Sequence, residues 1–229
     1  MNNTFSQSLK LVNTNILFVL VVGVLSTQYL FIGISDAFWV AFVLSICVEV
    51  IIFSKFISII KNTPYDGYVS ALKSNLFNFI VVTIVLSGLI ILLAKLINNV
   101  PLDTQYTITI NIGIQALIVL LTAYVFPIVL IKHVNLLAIP TGIIYLANNI
   151  KYSHMIIILA VSFFLIEFIA ILLMFNSLID MSLILYFSVI VNISTTYILF
   201  LIFSTASIIL LKEPNKSLNQ TGAQNAPSG

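Results

Sequence analysis

The chain has 229 residues, of which 61% are hydrophobic and 7% are charged, and its mean hydropathy is +1.19. This composition excludes a water-soluble domain and predicts a membrane protein. The formal net charge is +2 and arginine is absent from the sequence, so the chain lacks the forked side chain that binds phosphate bidentately. We therefore expect the lipid bilayer as the partner of the chain, and we do not expect nucleic acid.

Six apolar runs follow one another along the chain, and each is long enough to cross a hydrocarbon core of about 30 Å as a helix. They cover residues 15–34, 37–60, 76–97, 108–131, 155–175 and 181–211. The sequence thus predicts an all-α fold, a polytopic transmembrane helical bundle of about six spans that forms a single domain over residues 1–211. Residues 212–229 are rich in Asn, Gln, Ser, Pro and Gly, which predicts a disordered cytoplasmic tail.

Two of the connections are predicted to contain amphipathic elbow helices on the cytoplasmic side. In the first, Pro64 is followed by apolar residues at helical spacing between Tyr68 and Leu76. In the second, Pro140 is followed by a similar pattern up to Ile150. A proline followed by an amphipathic turn is typical of a segment that leaves one span and lies at the interface before the next.

The lysines are distributed unevenly between the two ends of the predicted spans. Short loops rich in lysine stay on the cytoplasmic side, and with a cytoplasmic N-terminus only Lys95 falls near the other face. The remaining lysines then lie on the cytoplasmic side: Lys10, Lys55, Lys61, Lys73, Lys132, Lys151, Lys212 and Lys216. We expect a multi-pass protein of the bacterial cell inner membrane with both termini in the cytoplasm.

Two carboxylates interrupt the apolar runs and are candidates for an intramembrane polar site. Glu49 lies near the middle of the second span and Glu167 near the middle of the fifth. An ionised carboxylate at the centre of a span costs about 2.5 to 3.5 kcal/mol on insertion, so both should face the bundle or a wet cavity. They could form a proton or cation site. Alternatively, each is a neutral group bonded to a neighbouring helix, or Glu49 pairs with Lys55.

Polar stripes on two spans complete the candidate site and are expected to face inward. The residues that form them are Asn111, Gln115 and Thr122 on the fourth span, and Ser188, Asn192 and Thr195 on the sixth. Such residues more often join helices than line a route. Small residues at Gly23 on the first span and Gly88 on the third predict close helix contacts, and Pro127 predicts an elbow in the fourth span.

Signatures of catalysis and of metal binding are missing from the sequence. It contains no zinc H-E-x-x-H, no G-x-S-x-G nucleophile and no Walker glycine loop. His133 and His154 border the second elbow without an acid or a cysteine between them, which predicts exposed loop histidines and no metal site. We expect no catalytic residues, no cofactor and no enzymatic activity.

The order of spans and elbows, with residues 126–130 (Phe-Pro-Ile-Val-Leu) closing the fourth span, resembles a group of bacterial six-span proteins. The group includes the YciC-like proteins and the membrane domain attached to some glycerophosphodiester phosphodiesterases. Its elbow helices typically hold an Ala-Leu pair and a serine, as at Ala71, Leu72 and Ser74, whereas residues 146–148 depart from this pattern. The resemblance implies a fold and a membrane location, but no activity.

These observations favour a non-enzymatic membrane component, an accessory or assembly partner of another membrane protein, or a homo-oligomer. One alternative is a small proton- or cation-coupled transporter that uses Glu49 and Glu167, and a second is a lipid-modifying membrane enzyme. A cavity that reaches both glutamates would favour transport. A cytoplasmic cluster of acid, histidine and lysine at the elbows would favour an enzyme.

Overall fold

The computed structural model describes residues 2–31, 36–101, 103–175 and 183–212. Within these ranges the chain forms nine α-helices and no strand. They are α1 (Asn2–Thr14), α2 (Ile16–Phe31), α3 (Asp36–Lys61), α4 (Tyr68–Asn98), α5 (Thr104–Leu121), α6 (Val125–Lys132), α7 (Ala138–Asn148), α8 (His154–Phe175) and α9 (Ile184–Lys212). The predicted disordered tail, from residue 213 onward, and the predicted beginning of the last span at residues 181–182 lie outside the described residues.

The all-α helical bundle predicted from the sequence is confirmed. In the described part of the chain, five spans are long and apolar enough to cross a membrane, and a bent helix pair at the N-terminal end would make a sixth. The five are α3, α4, α5 with α6, α8 and α9, as expected of a multi-pass membrane protein. The predicted bounds of the second and fifth spans agree with α3 and α8 to within one residue.

The first span differs from its prediction, because helical structure already begins at Asn2 and the path bends by 73° between α1 and α2. Asn15 occupies the bend and is buried. Its side-chain amide donates to the Leu11 carbonyl at 2.9 Å and its oxygen accepts from Lys55 Nζ at 2.9 Å. Hydropathy did not reveal α1 because its apolar residues alternate with Asn, Ser, Gln and Lys.

The two predicted elbow helices have different outcomes. The first is not a separate element, since α4 runs without a break from Tyr68 to Asn98. The connection before it turns at Gly67, whose φ of 92° suits glycine, and neither proline nor glycine follows in the first turns of α4. The second elbow is confirmed as α7. A β-carbon added at Gly142 would lie 3.0 Å from the Val125 backbone nitrogen, so α7 packs directly on α6.

The elbow predicted at Pro127 is a break between α5 and α6 at residues 122–124. Pro127 is the third residue of α6, where a missing N–H is tolerated. Because proline has no N–H, it cannot donate to the carbonyl four residues earlier, which is that of Ala123 inside the break. The interruption of the helix therefore lies just before the proline.

α9 is the central helix of the bundle, and it packs against α1, α2, α3, α6 and α8. α4 lies at the periphery, with α3, α5 and α6 as its main neighbours. We call the end of the bundle at which α3, α6 and α9 finish the lysine end, because these helices end at Lys61, Lys132 and Lys212. Asn98, the last residue of α4, marks the opposite end.

Candidate functional site

A partly open cavity of about 280 Å³ lies between α2, α3, α4, α5, α9 and the break that separates α5 from α6. The break contributes Thr122 and Ala123 to its wall. Near the opposite end, the wall continues along α4 through Ser87 to Ile90. The cavity contains the first of the two predicted carboxylates.

Five phenylalanines form the part of the wall nearest the lysine end. They are Phe53, Phe79, Phe126, Phe200 and Phe203. The rings of Phe53 and Phe203 stack with their centroids 3.8 Å apart, and those of Phe79 and Phe126 are 4.6 Å apart. This aromatic floor suits an apolar group, and a ring face that is not covered by another ring also attracts a cation.

Glu49 lies on α3, one helical turn from Phe53 toward the opposite end, and lines the same cavity. Ser45 Oγ donates a hydrogen bond of 3.3 Å to Glu49 Oε1. Hydroxyl groups complete the polar part of the wall, and those of Thr83 and Thr122 donate to carbonyls of their own helices. Donation to the backbone leaves the oxygens of these hydroxyls as acceptors.

The cavity thus has an uneven balance of charge. Among the described residues that line it, Glu49 is the one ionisable side chain, and lysine and histidine are both missing. Lys55, which the sequence offered as a partner of Glu49, bonds instead to Asn15 Oδ1 and lies 5.9 Å from the centroid of the Phe18 ring. Hence the structure places an acid, aromatic side chains and acceptor oxygens around one cavity, without a cationic side chain among the described residues that line it.

Glu167 is not brought to this cavity. It lies on α8, which contributes no residue to the cavity wall in the described part of the chain, and its side chain is half-buried. This cavity therefore contains Glu49 without Glu167, and a transport site that uses both glutamates stays a prediction.

The predicted stripe on the fourth span divides into three environments. Thr122 lines the cavity, but Gln115 is exposed on the outside of the bundle, so the expectation that it faces inward is wrong. Asn111 joins helices near the opposite end, where its amide donates to Asn98 Oδ1 at 3.4 Å. The Oδ1 atom of Asn111 is buried and has no hydrogen-bond partner among the described residues.

The stripe on the last span agrees better with its prediction. Ser188 and Thr195 are buried and Asn192 is half-buried. Of the two glycines predicted to lie at close helix contacts, one does and one does not. A β-carbon at Gly23 would lie 2.9 Å from the Ile193 Cα, whereas one at Gly88 meets nothing within 4 Å. Gly23 therefore lies at the contact between α2 and α9, and Gly88 lies at no helix contact.

A second cavity, of about 380 Å³, lies at the lysine end beside the first connection, and sequence reasoning missed it. Lys61, Asp66 and His133 line it. His133 ends α6 with a left-handed φ of 53°, and its Nδ1 lies 2.9 Å from Asn75 Oδ1. The sequence signal for this site is Asn75, a polar residue near the beginning of the α4 span. In the structure Asn75 is buried on the face of α4 that meets α3.

Lys61, Asp66 and His133 form the kind of cluster that would favour an enzyme, since an acid, a lysine and a histidine share one cavity. None of the hydrogen bonds in the described part of the chain joins one of the three to another. A nucleophile–base–orienting chain is therefore not assembled. Within the described residues, no three His, Cys, Asp or Glu side chains are grouped so that they could hold a metal ion.

No protein-family model, curated protein or solved structure matches this chain.

Proposed function

We propose that the protein is a non-enzymatic, multi-pass component of the bacterial inner membrane that binds a small hydrophobic ligand with one cationic group. The observation that carries this proposal is the position of Glu49 in an aromatic-floored cavity without a positively charged side chain. A carboxylate inside a span is costly unless a partner offsets its charge. A cationic ligand would supply that partner.

The wall of the cavity also favours a ligand that is otherwise apolar. Aromatic faces attract a cation within about 6 Å of the ring centroid, most strongly where water is excluded. Leu86, Ile118 and Leu199 supply apolar surface beside the aromatic floor. The volume of about 280 Å³ lies at the lower limit of the range of ligand pockets, which favours a ligand of the size of an aromatic amine.

The inner membrane and the cytoplasmic position of both ends are part of the same proposal. They are supported by the lysine end, which collects Lys61, Lys132 and Lys212 at one face of the bundle. A reporter that is active only outside the cytoplasm, fused after Leu211, should stay silent. Activity of that fusion would reverse the orientation.

The binding proposal is tested with two probes that have the same shape. Benzyltrimethylammonium carries a permanent positive charge, and neopentylbenzene is its neutral carbon analogue. The purified protein in mild detergent should bind the cation more tightly than the neutral probe. Because close charge pairs in buried sites contribute at least about 1.5 kcal/mol, Glu49→Gln should weaken binding of the cation at least tenfold, as measured by calorimetry.

Glu167→Gln is the matched control, since it removes the other intramembrane carboxylate away from the cavity. It should leave the affinity for both probes unchanged, and Glu49→Gln should leave the affinity for neopentylbenzene unchanged. Equal affinity of the unmodified protein for both probes would exclude a cation site at Glu49.

A lipid-modifying membrane enzyme is the second candidate, and the cavity with Lys61, Asp66 and His133 favours it. We rank it below binding because Nδ1 of His133 is already hydrogen-bonded to Asn75. Conversion of a radiolabelled phospholipid by the unmodified protein, lost in His133→Gln and retained in Glu49→Gln, would reverse this order. A role in the assembly of another membrane protein stays a prediction.

A further inference from the structure

A third cavity, of about 410 Å³, lies at the lysine end between α1, the last turns of α3 and the last turns of α9. It shares no lining residue with the Glu49 cavity, so a ligand bound here is independent of the cationic ligand proposed for Glu49. Its polar wall contains Gln7, Lys10 and Lys212, and its apolar wall contains Ile59, Ile60 and Ile208.

The polar wall is rich in hydrogen-bond donors and positive charge. Both lysines are exposed, and among the described residues that line the cavity there is no acidic side chain. Lys212 Nζ donates to Gln7 Oε1, which leaves the amide N–H groups of Gln7 and the other two protons of Lys212 for a ligand. This set of donors matches a singly or doubly charged oxyanion.

A further positive charge lies behind this wall. Lys55 Nζ donates to Asn15 Oδ1 at 2.9 Å, and Asn15 itself lines the cavity. The Asn15 amide in turn donates to the Leu11 carbonyl. The bend between α1 and α2 therefore holds Lys55 beside the anion position without placing it in the cavity.

The apolar wall indicates where the anion comes from. Ile59 has half of its surface exposed on the outside of the bundle, next to the exposed Lys10 and Lys212. A site with lysines on one side and exposed isoleucine on the other accommodates a charged headgroup together with the first part of its acyl chains. From this geometry we infer that the cavity binds the phosphodiester headgroup of an anionic membrane lipid.

The inference is tested by native mass spectrometry of the full chain released from detergent. Phosphatidylglycerol, phosphatidylcholine and inorganic phosphate are each titrated against the protein. Phosphatidylglycerol should form a 1:1 adduct that is stable to gentle activation. Since each lysine near an anionic surface favours binding by about fivefold, Lys10→Gln/Lys212→Gln should weaken this adduct by roughly thirtyfold.

The control variant Lys73→Gln/Lys151→Gln removes the same charge from lysines that do not line the cavity. It should keep the adduct, and Lys10→Arg should keep it as well, because the charge remains. Should the cavity variant lose the folded bundle, Lys10→Gln alone still removes a charge without touching the bond between Lys212 and Gln7. It should weaken the adduct about fivefold.

Three results would overturn the inference. One is an equal loss of the adduct in the cavity variant and in the control variant, which would indicate general attraction to the lysine end. Another is binding of phosphatidylcholine as tight as that of phosphatidylglycerol. The last is saturation of the site by inorganic phosphate at the concentration at which the lipid binds, which would assign it to a soluble anion.

Discussion

α4 and α9 are the two longest described helices, and their environments are opposite. In α4 the most apolar stretch of 18 residues has a mean hydropathy of 2.8 and 11% of it is buried, whereas in α9 the corresponding stretch has a mean hydropathy of 2.0 and 78% of it is buried. The corresponding stretch of α8, with a mean hydropathy of 3.0 and 28% buried, resembles that of α4. Between these helices, the more apolar stretch is the one with more of its surface on the outside of the bundle, and the less apolar stretch is enclosed by protein.

Polar residues of α9 lie within its enclosed part and lower the hydropathy there. Thr205 is buried, and its hydroxyl lies 2.9 Å from that of Ser8 on α1. Ser204 donates to the Leu201 carbonyl of its own helix. Such groups need partners inside the bilayer, and an enclosed helix finds them on its neighbours.

Removal of an aromatic side chain is expected to give the largest difference in destabilisation between α9 and α4. Phe203 on α9 is 4% exposed and stacks on Phe53, whereas Phe77 on α4 is 72% exposed. Phe203→Ala should lower the free energy of unfolding in detergent by on the order of 3 kcal/mol, because it leaves a cavity that its neighbours cannot fill. Phe77→Ala should change it little, since lipid or detergent replaces the lost contacts.

Equal destabilisation by both substitutions would mean that α4 is covered by protein, as in a homo-oligomer. The two helices would then share one kind of environment.

Addition of one methyl group is expected to give a smaller difference in stability between the α2–α9 contact and α4. Gly23→Ala would place a β-carbon 2.9 Å from the Ile193 Cα on α9, and overpacking of this kind costs about 1–3 kcal/mol. Gly88→Ala on α4 adds its methyl group to open space and should be neutral or stabilising by up to about 1 kcal/mol, because alanine favours the helix. Thermal unfolding of both variants, with the unmodified protein as reference, measures this. A tolerated Gly23→Ala would show that α2 and α9 separate easily.

The smallest effect is expected at the hydrogen bond between Ser8 and Thr205. Ser8→Ala and Thr205→Val, alone and together, form a double-mutant cycle whose coupling energy should be about 0.6 kcal/mol, the average for such bonds between membrane helices. Ser74 on α4 bonds to carbonyls of its own helix. Ser74→Ala should therefore show no coupling to Thr205→Val, and a coupling near zero for Ser8 as well would mean that α1 is not fixed on α9.

The parts of the fold that could be predicted are those at which hydropathy changes clearly along the chain. The ends of α3 and α8 are set by a change from apolar to polar residues, which the sequence shows directly. α1 could not be found in this way, because its stability comes from Ser8, Leu11 and Val12 being buried in tertiary contacts. The continuity of α4 was misjudged because amphipathic spacing near its beginning is compatible with either a separate helix or the first turns of a long one.

The candidate site was predictable only in part. Glu49 is recognisable in the sequence because a carboxylate in an apolar run is costly, and the structure places it in a cavity. The same argument applied equally to Glu167 on α8, which does not line that cavity. Which face of a helix meets a cavity depends on how the helices pack, and the cost of a carboxylate does not indicate it. The cavity lined by Lys10 and Lys212, between α1 and α9, contains residues about 200 positions apart in the chain. Pattern arguments within one segment cannot foresee such a pairing.

The central position of α9 has a consequence for how the bundle is made. α9 follows every other described helix in the sequence, so it leaves the ribosome after all of its neighbours. Until then, the surfaces of α1, α2, α3, α6 and α8 that will surround it are open to the bilayer, and the Ser8 hydroxyl lacks the partner that Thr205 provides. The earlier spans thus enter the membrane before the helix around which they pack, and the last span completes their contacts.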